Sequence, residues 1–184
     1  MQIIDAAVRV IAEHGVTNAT TRRITDAAGA PLASLHFCFG DKDGLYLAVF
    51  EHLAVEAIKL FDSIEPNELD VTAARVVRHS VQWAMDNPDY SLAQIDLYLW
   101  MLRNRPDLAA ESYGVLLRAT TDVLQRATGA AAAAEAIADL ASVMISAIDG
   151  LVLQWASHKD RVRVAAFVDA FCAGIPAMCS HAQR

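Results

Sequence analysis

Helical periodicity, punctuated by single glycines, governs this chain from its first residues. Ile4, Ala7, Val8 and Ile11 share one stripe at three- and four-residue spacing, Asp5, Arg9 and Glu13 lie off it, and Gly15 closes the segment. Thr20 has the chemistry of an N-cap for a second short helix that runs to Ala28 and stops at Gly29. Pro31 suits the first turn of a third helix, where its missing N–H costs nothing; that helix reaches about Phe39. Gly40 ends it, and Asp41 caps a longer fourth helix to about Ile64. Further on, Pro66-Asn67 precedes a helix over about 70–86, Asn87-Pro88 one over 90–104, and Pro106-Asp107 one that Gly129 ends. Helices over 130–157 and 161–181 follow, and the run Ala130–Ala134 is strong helix former. The pattern predicts three short helices, a connecting helix and a larger helical body.

Composition agrees. Thirty-five alanines stand against eight glycines and five prolines, too few turn residues for a sheet protein of 184 residues. With 55% hydrophobic and 20% charged residues the chain can bury a core, in one large domain or two that share it. The expected fold is all-α. No uninterrupted apolar run reaches the roughly 18 residues of a membrane span, and Asp5 and Glu13 break any secretory-leader pattern. Cys38, Cys172 and Cys179 are odd in number and scattered, which is no disulfide framework. These features predict a reduced, cytoplasmic protein without a membrane partner. The net charge of −7 excludes a dominant basic field, though not one small DNA-reading surface.

A short helix, a tight glycine turn and a second short helix have the spacing of a helix-turn-helix. Ile24 and Ala28 can pack on Leu35 and Phe39, which leaves Ala33, Ser34, His36 and Phe37 facing outward. In such a unit the outer face of the second helix enters the major groove. Residues 3–50, IIDAAVRVIAEHGVTNATTRRITDAAGAPLASLHFCFGDKDGLYLAVF, carry in order a first amphipathic helix, an A-A-G turn, an L-x-x-x-F helix and an F-G-D-K-D-G-L segment. This stretch resembles the N-terminal domain of TetR-family transcriptional regulators. The A-I-D-G-L segment at Ala147–Leu151, and the helix count of the body, are similar to that family's ligand-binding and dimerisation domain.

The resemblance implies a helix-turn-helix DNA-binding domain over 1–45 and a ligand-binding and dimerisation domain over 46–184. It implies phosphate contacts from Thr20, Thr21 and Arg22 at the start of the second helix, and from Lys42 at the start of the fourth. Free N–H groups and a hydroxyl at a helix N-terminus bind anions, which agrees. Arg23 stands where the family often has an acid and is a further phosphate candidate. Pro31, Leu32, Ala33, Ser34, His36 and Phe37 hold the recognition-helix positions. Leu32 replaces the family's typical lysine, and His36 and Cys38 replace tyrosines. Base readout then rests on Ser34, His36 and apolar contacts to thymine methyls. Residues 1–45 hold four Lys/Arg against five Asp/Glu, so the head is near −1 and its binding should be modest and salt-sensitive.

In the body, aromatic and sulfur-bearing residues cluster between positions 83 and 155, as ordinary core or as the wall of a cavity for a small apolar effector. Candidate contacts are Trp83, Leu97, Trp100, Met101, Tyr113, Leu117 and Met144, with His79 and Ser80 as polar anchors. On the last helix, Ala166, Ala170, Gly174 and Ala177 form a small-residue stripe. Paired with Met144, Ile148, Leu151 and Trp155 of the preceding helix, it suits a two-fold four-helix interface of a homodimer. No H-E-x-x-H, Cys-pair or Glu-x-x-His spacing, phosphate loop or nucleophile elbow occurs, so neither enzyme, metal nor cofactor is expected. The reading is a ligand-responsive repressor that binds a palindromic DNA operator as a dimer. Its alternatives are a DNA-binding-impaired relative acting through protein partners, and a thiol-based redox sensor.

Overall fold

The computed structural model describes residues 2–62, 64–65, 67–128 and 134–182. Among these there are nine α-helices and no strand: α1 Gln2–His14, α2 Thr21–Ala28, α3 Leu32–Phe39, α4 Lys42–Asp62, α5 Leu69–Asp86, α6 Pro88–Asn104, α7 Pro106–Thr128, α8 Ala134–His158 and α9 Arg161–Ala182. The expected stops and starts at Pro66, Gly129 and Ala130–Ala133 lie outside the described residues. Two compact units emerge, residues 1–56 with 87–112, and residues 57–86 with 113–184.

The first unit is built on the α1 stripe. Ala6, Ala7, Val8, Val10 and Ile11 are buried, and α1 packs on α2 and α6. Thr20 caps α2, its hydroxyl oxygen accepting the Arg23 N–H at 3.2 Å. Gly29 takes a left-handed φ of 61°, and its N–H and that of Ala30 return to the carbonyls of Asp26 and Thr25. That is the double bond pattern of a glycine-ended helix, and only a residue without Cβ adopts it without strain. Pro31 occupies the N-cap position of α3 rather than its first turn, with ψ at 141°. Its carbonyl still accepts the Ser34 N–H at 3.0 Å, so the helix starts one residue later than the sequence suggested.

In the second unit α5, α8 and α9 pack on one another. Arg161, at the head of α9, ties down the end of α5: one guanidinium nitrogen donates to Asp86 Oδ1 at 2.8 Å and the other to the Met85 carbonyl at 2.5 Å. Arg78 of α5 pairs with Asp169 of α9. The turn from α8 to α9 lacks a glycine, and Lys159 takes the left-handed conformation instead, φ 55°. Its N–H bonds the Trp155 carbonyl at 2.7 Å, and its Nζ lies 4.2 Å from the centroid of the Trp155 ring, a cation–π contact.

Judged by windows rather than unbroken runs, α8 and α9 are long and apolar enough to cross a membrane, with mean hydropathy 1.9 and 1.6. The inward residues of both are spent on packing: Ile137, Leu140, Met144, Leu151 and Trp155 of α8 are buried, as are Val164, Val168, Ile175 and Cys179 of α9. This corrects one expectation. Met144, Leu151 and Trp155 face the chain's own core, and the uncovered side of α8 carries Val143 and Leu153. A 3.6-residue period marks an apolar stripe but does not say which of two stripes the chain itself covers.

Candidate nucleic-acid interface

The reading head is held together by few contacts, each with a clear cause. Ile24 of α2 and Leu35 of α3 are fully buried where the two helices meet. Every other α3 side chain except those of Ser34 and Phe39 is exposed. Phe37 is 92% exposed and Leu32 42%, an apolar surface that this chain leaves uncovered. His36 is exposed, and its Nδ1 lies 3.0 Å from the Gly40 carbonyl oxygen.

The candidate cations lie on the helices before and after α3 in the chain. Arg22 and Arg23 are exposed on the first turn of α2, and Arg23 donates to the Asn18 carbonyl at 3.2 Å. Lys42 begins α4, its Nζ 5.1 Å from the centroid of the Tyr46 ring. Thr20 is exposed and Thr21 half-buried. The structure thus brings Thr20, Thr21, Arg22 and Arg23 together on one helix start, Leu32, Ala33, His36 and Phe37 on one helix face, and sets Pro31 at its cap.

Three residues that the sequence reading passed over position this head. Tyr46 of α4 is 1% exposed, and its hydroxyl lies 2.5 Å from the Val16 carbonyl and 3.1 Å from that of Ala19. Burial, with Asp96 and Asp43 nearby, drives the phenol pKa well above its ordinary value, so the ring keeps its proton. Asp96 of α6 accepts the Val16 N–H at 2.5 Å, and Trp100 packs edge-on against Tyr46, centroids 5.2 Å apart. The turn that presents Thr20 is therefore gripped from both α4 and α6. Gly44 is the third: a Cβ there would lie 2.1 Å from the Phe39 carbonyl oxygen. The signals available in the sequence were slight: a lone carboxylate amid the apolar residues of α6, and a glycine inside a helix where alanine is the better former.

The effector candidates divide between the units. Leu97 and Met101 are buried in the first unit, where Trp100 meets Tyr46. The second holds Trp83, Tyr113 and Leu117, all half-buried, with Met144 fully buried, Ser80 half-buried and His79 exposed. Tyr113 donates to Asp149 at 3.1 Å, which ties it to the A-I-D-G-L segment.

Cys172 and Cys179 are buried on the side of α9 that faces α5, and Cys172 Sγ lies 3.9 Å from the Ala74 carbonyl. Burial raises both thiol pKa values, that of Cys179 to about 11, which disfavours the reactive thiolate. Cys38 is exposed. A thiol-titrating disulfide reagent at neutral pH should count one reactive thiol in the native protein and three after denaturation; two fast thiols in the native state would contradict this burial.

A helix-turn-helix head with an uncovered recognition face, followed by a helical body, is the build of a DNA-binding regulator. The family model "Bacterial regulatory proteins, tetR family" matches residues 3–49. The chain is 31% identical over 172 residues to the HTH-type nicotine-responsive transcriptional repressor HdnoR of Paenarthrobacter nicotinovorans, covering 86% of this chain and 87% of that one. It is likewise 31% identical over 173 residues to the HTH-type transcriptional repressor Rv1474c of Mycobacterium tuberculosis, covering 91% and 88%. The crystal structure of FadR from Bacillus subtilis in complex with stearoyl-CoA superposes with a TM-score of 0.74 at 19% identity, over 95% of this chain and 96% of that one, which shows a shared fold. The chain belongs to the TetR family of transcriptional regulators, and its relatives are HTH-type repressors rather than enzymes.

Proposed function

We propose that this protein is a ligand-responsive repressor that binds a palindromic operator as a homodimer and leaves it when a small, largely apolar effector occupies the body. The observation that carries the reading is the bare outer face of α3, with Leu32 and Phe37 exposed, in a chain that sets Arg22 and Arg23 on α2 before it and Lys42 at the start of α4 after it. In this reading residues 1–45 read DNA and 46–184 bind effector and partner. Thr20, Thr21, Arg22, Arg23 and Lys42 hold phosphates, while Pro31, Leu32, Ala33, Ser34, His36 and Phe37 lie in the groove. Acting on DNA, the protein works in the cytoplasm.

Replacing Arg22 or Lys42 by alanine should weaken binding to every sequence alike and reduce the slope of log affinity against log salt by about 0.9 each. Fluorescence anisotropy over a salt series measures this. Unchanged slopes in both variants would overturn the phosphate assignment and favour a head that acts through protein partners.

Dimerisation is supported by the uncovered sides of α8 and α9. Ala166, Ala170, Gly174 and Ala177 are all exposed, and Val143 and Leu153 are 49% and 48% exposed. Gly150 and Gly174 sit inside helices, where glycine costs about 0.5–1 kcal/mol relative to alanine. A Cβ at either meets nothing within 4 Å among the described residues, so packing among those residues does not account for them. Close approach of a second copy does, and it sets two recognition helices roughly 34–36 Å apart. Gly174→Leu should leave the protomer folded and shift it from dimer to monomer in sedimentation; a variant that stays dimeric removes this face from the interface.

The effector class takes support from the relative named for its response to nicotine and from the structural neighbour solved with stearoyl-CoA. Candidate contacts are Trp83, Tyr113, Leu117 and Met144 with His79 and Ser80 in the second unit, and Leu97, Trp100 and Met101 in the first. Since α4 and α7 each supply residues to both units, both are covalent levers between effector and head. Any effector that lowers DNA affinity must bind the DNA complex more weakly by the same factor, and titration in both directions tests it.

A further inference from the structure

Guanine offers the major groove only acceptors, N7 and O6, and is read by donors, most often arginine or lysine. The α3 sequence LASLHFCF contains no Arg, Lys, Asn or Gln. Its exposed side chains include Leu32, Ala33, His36 and Phe37, of which only His36 carries a polar group; Ser34 beside them is half-buried, and its hydroxyl can donate or accept, so it sets no sense. The contact of His36 with Gly40 selects the ring tautomer. His36 Nδ1 lies 3.0 Å from the carbonyl oxygen of Gly40. A carbonyl only accepts, so Nδ1 carries the hydrogen, and in the neutral ring Nε2 is left with its lone pair outward. Gly40 makes this possible: its φ of 76° turns the chain back over the last turn of α3, where its own N–H bonds the His36 carbonyl at 3.0 Å. The ring is thus tied through Nδ1 to a backbone carbonyl one turn on, and that carbonyl holds the tautomer.

We propose that His36 acts as a hydrogen-bond acceptor that reads an exocyclic amino group, adenine N6 or cytosine N4, while Leu32 and Phe37 select thymine methyl groups, so that these three residues of α3 face a thymine-rich half-site and none of them reads guanine. This rests on the DNA-binding reading above. It goes beyond that reading by giving the recognition helix a donor–acceptor sense, which phosphate contacts do not carry.

Selection of bound fragments from random duplex DNA at fixed low salt, with wild type, His36→Ala and His36→Lys, tests it. For wild type the expected half-site has thymines at the positions facing α3 and one position restricted to adenine or cytosine. In His36→Ala that position loses its preference while the thymines remain. In His36→Lys, which has donors only, it switches to guanine. On the selected duplex, replacing the read adenine by unsubstituted purine, or the read cytosine by its analogue lacking the 4-amino group, should weaken wild-type binding about ten-fold. Neither change should affect His36→Ala. Uracil in place of thymine should weaken wild type and leave Leu32→Ala with Phe37→Ala unaffected.

A guanine-dominated consensus in wild type, or one unchanged by His36→Ala, overturns the inference and leaves the regulator reading standing. Failure to recover any bound DNA at low salt overturns both. Because His36 is exposed, equal melting temperatures for the three proteins confirm that readout, not folding, is compared.

Discussion

Gly44→Ala should destabilise the reading head by about 3 kcal/mol or more and abolish operator binding. Helix propensity predicts the opposite sign, since alanine in a helix interior is favoured over glycine by about 1 kcal/mol. The clash decides it. A Cβ at position 44 would stand 2.1 Å from the Phe39 carbonyl oxygen, 3.3 Å from its carbon and 3.6 Å from Asp41 Oδ1. Neither side can yield cheaply, because the obstacle is backbone and the turn is pinned. Asp41 caps α4 through the Gly44 N–H at 2.8 Å, and its own N–H bonds the Phe39 carbonyl at 2.9 Å. Relief requires moving the end of α3, the helix that presents His36 and Phe37. Urea unfolding and DNA anisotropy check this together, and a variant with raised stability and intact binding would refute the packing described for this turn.

Tyr46→Phe should cost about 1–3 kcal/mol and lower DNA affinity although the volume barely changes. The lost hydroxyl strands the carbonyls of Val16 and Ala19 in the interior, at the turn that leads into the Thr20 cap. Asp96→Ala acts on the same turn by removing the acceptor of the Val16 N–H, so the double variant should fall short of the sum of the two singles. Hydrogen exchange at the Val16 amide reads the loosening directly. The phenol also predicts a pH dependence. Its folded pKa lies above the unfolded value near 10, so the folded state holds this proton more tightly. The stability so contributed is complete below pH 10 and is lost as pH rises toward the folded value. Tyr46→Phe should flatten that alkaline decline; an unchanged decline would mean another group is responsible.

Much of the head was legible because its signals are local. Thr20, Gly29, Gly40 and Asp41 act within a few residues of themselves, through caps and left-handed turns, and each stands where its chemistry demands. The outward set on α3 followed from periodicity once Leu35 was placed inside. What stayed hidden was long-range. Asp96 meets Val16 across eighty positions of sequence, and nothing in the neighbourhood of either residue announces the other. Lys159 was hidden for a different reason: a lysine in the left-handed conformation, its ammonium over the Trp155 ring, stands where a glycine usually does. On α8 the period was right and the face was wrong, since Met144 and Trp155 answer to α5 and α9 rather than to a partner.

By itself the amino-acid order determined the helices, their stops and the helix-turn-helix, because hydrogen-bond capping and apolar spacing are decided over one or two turns of chain. Tertiary structure alone decided which stripe of α8 is buried and which backbone amide Asp96 holds. Each of those depends on an atom brought close by folding, and proximity between elements distant in the chain is not written in the spacing of either partner.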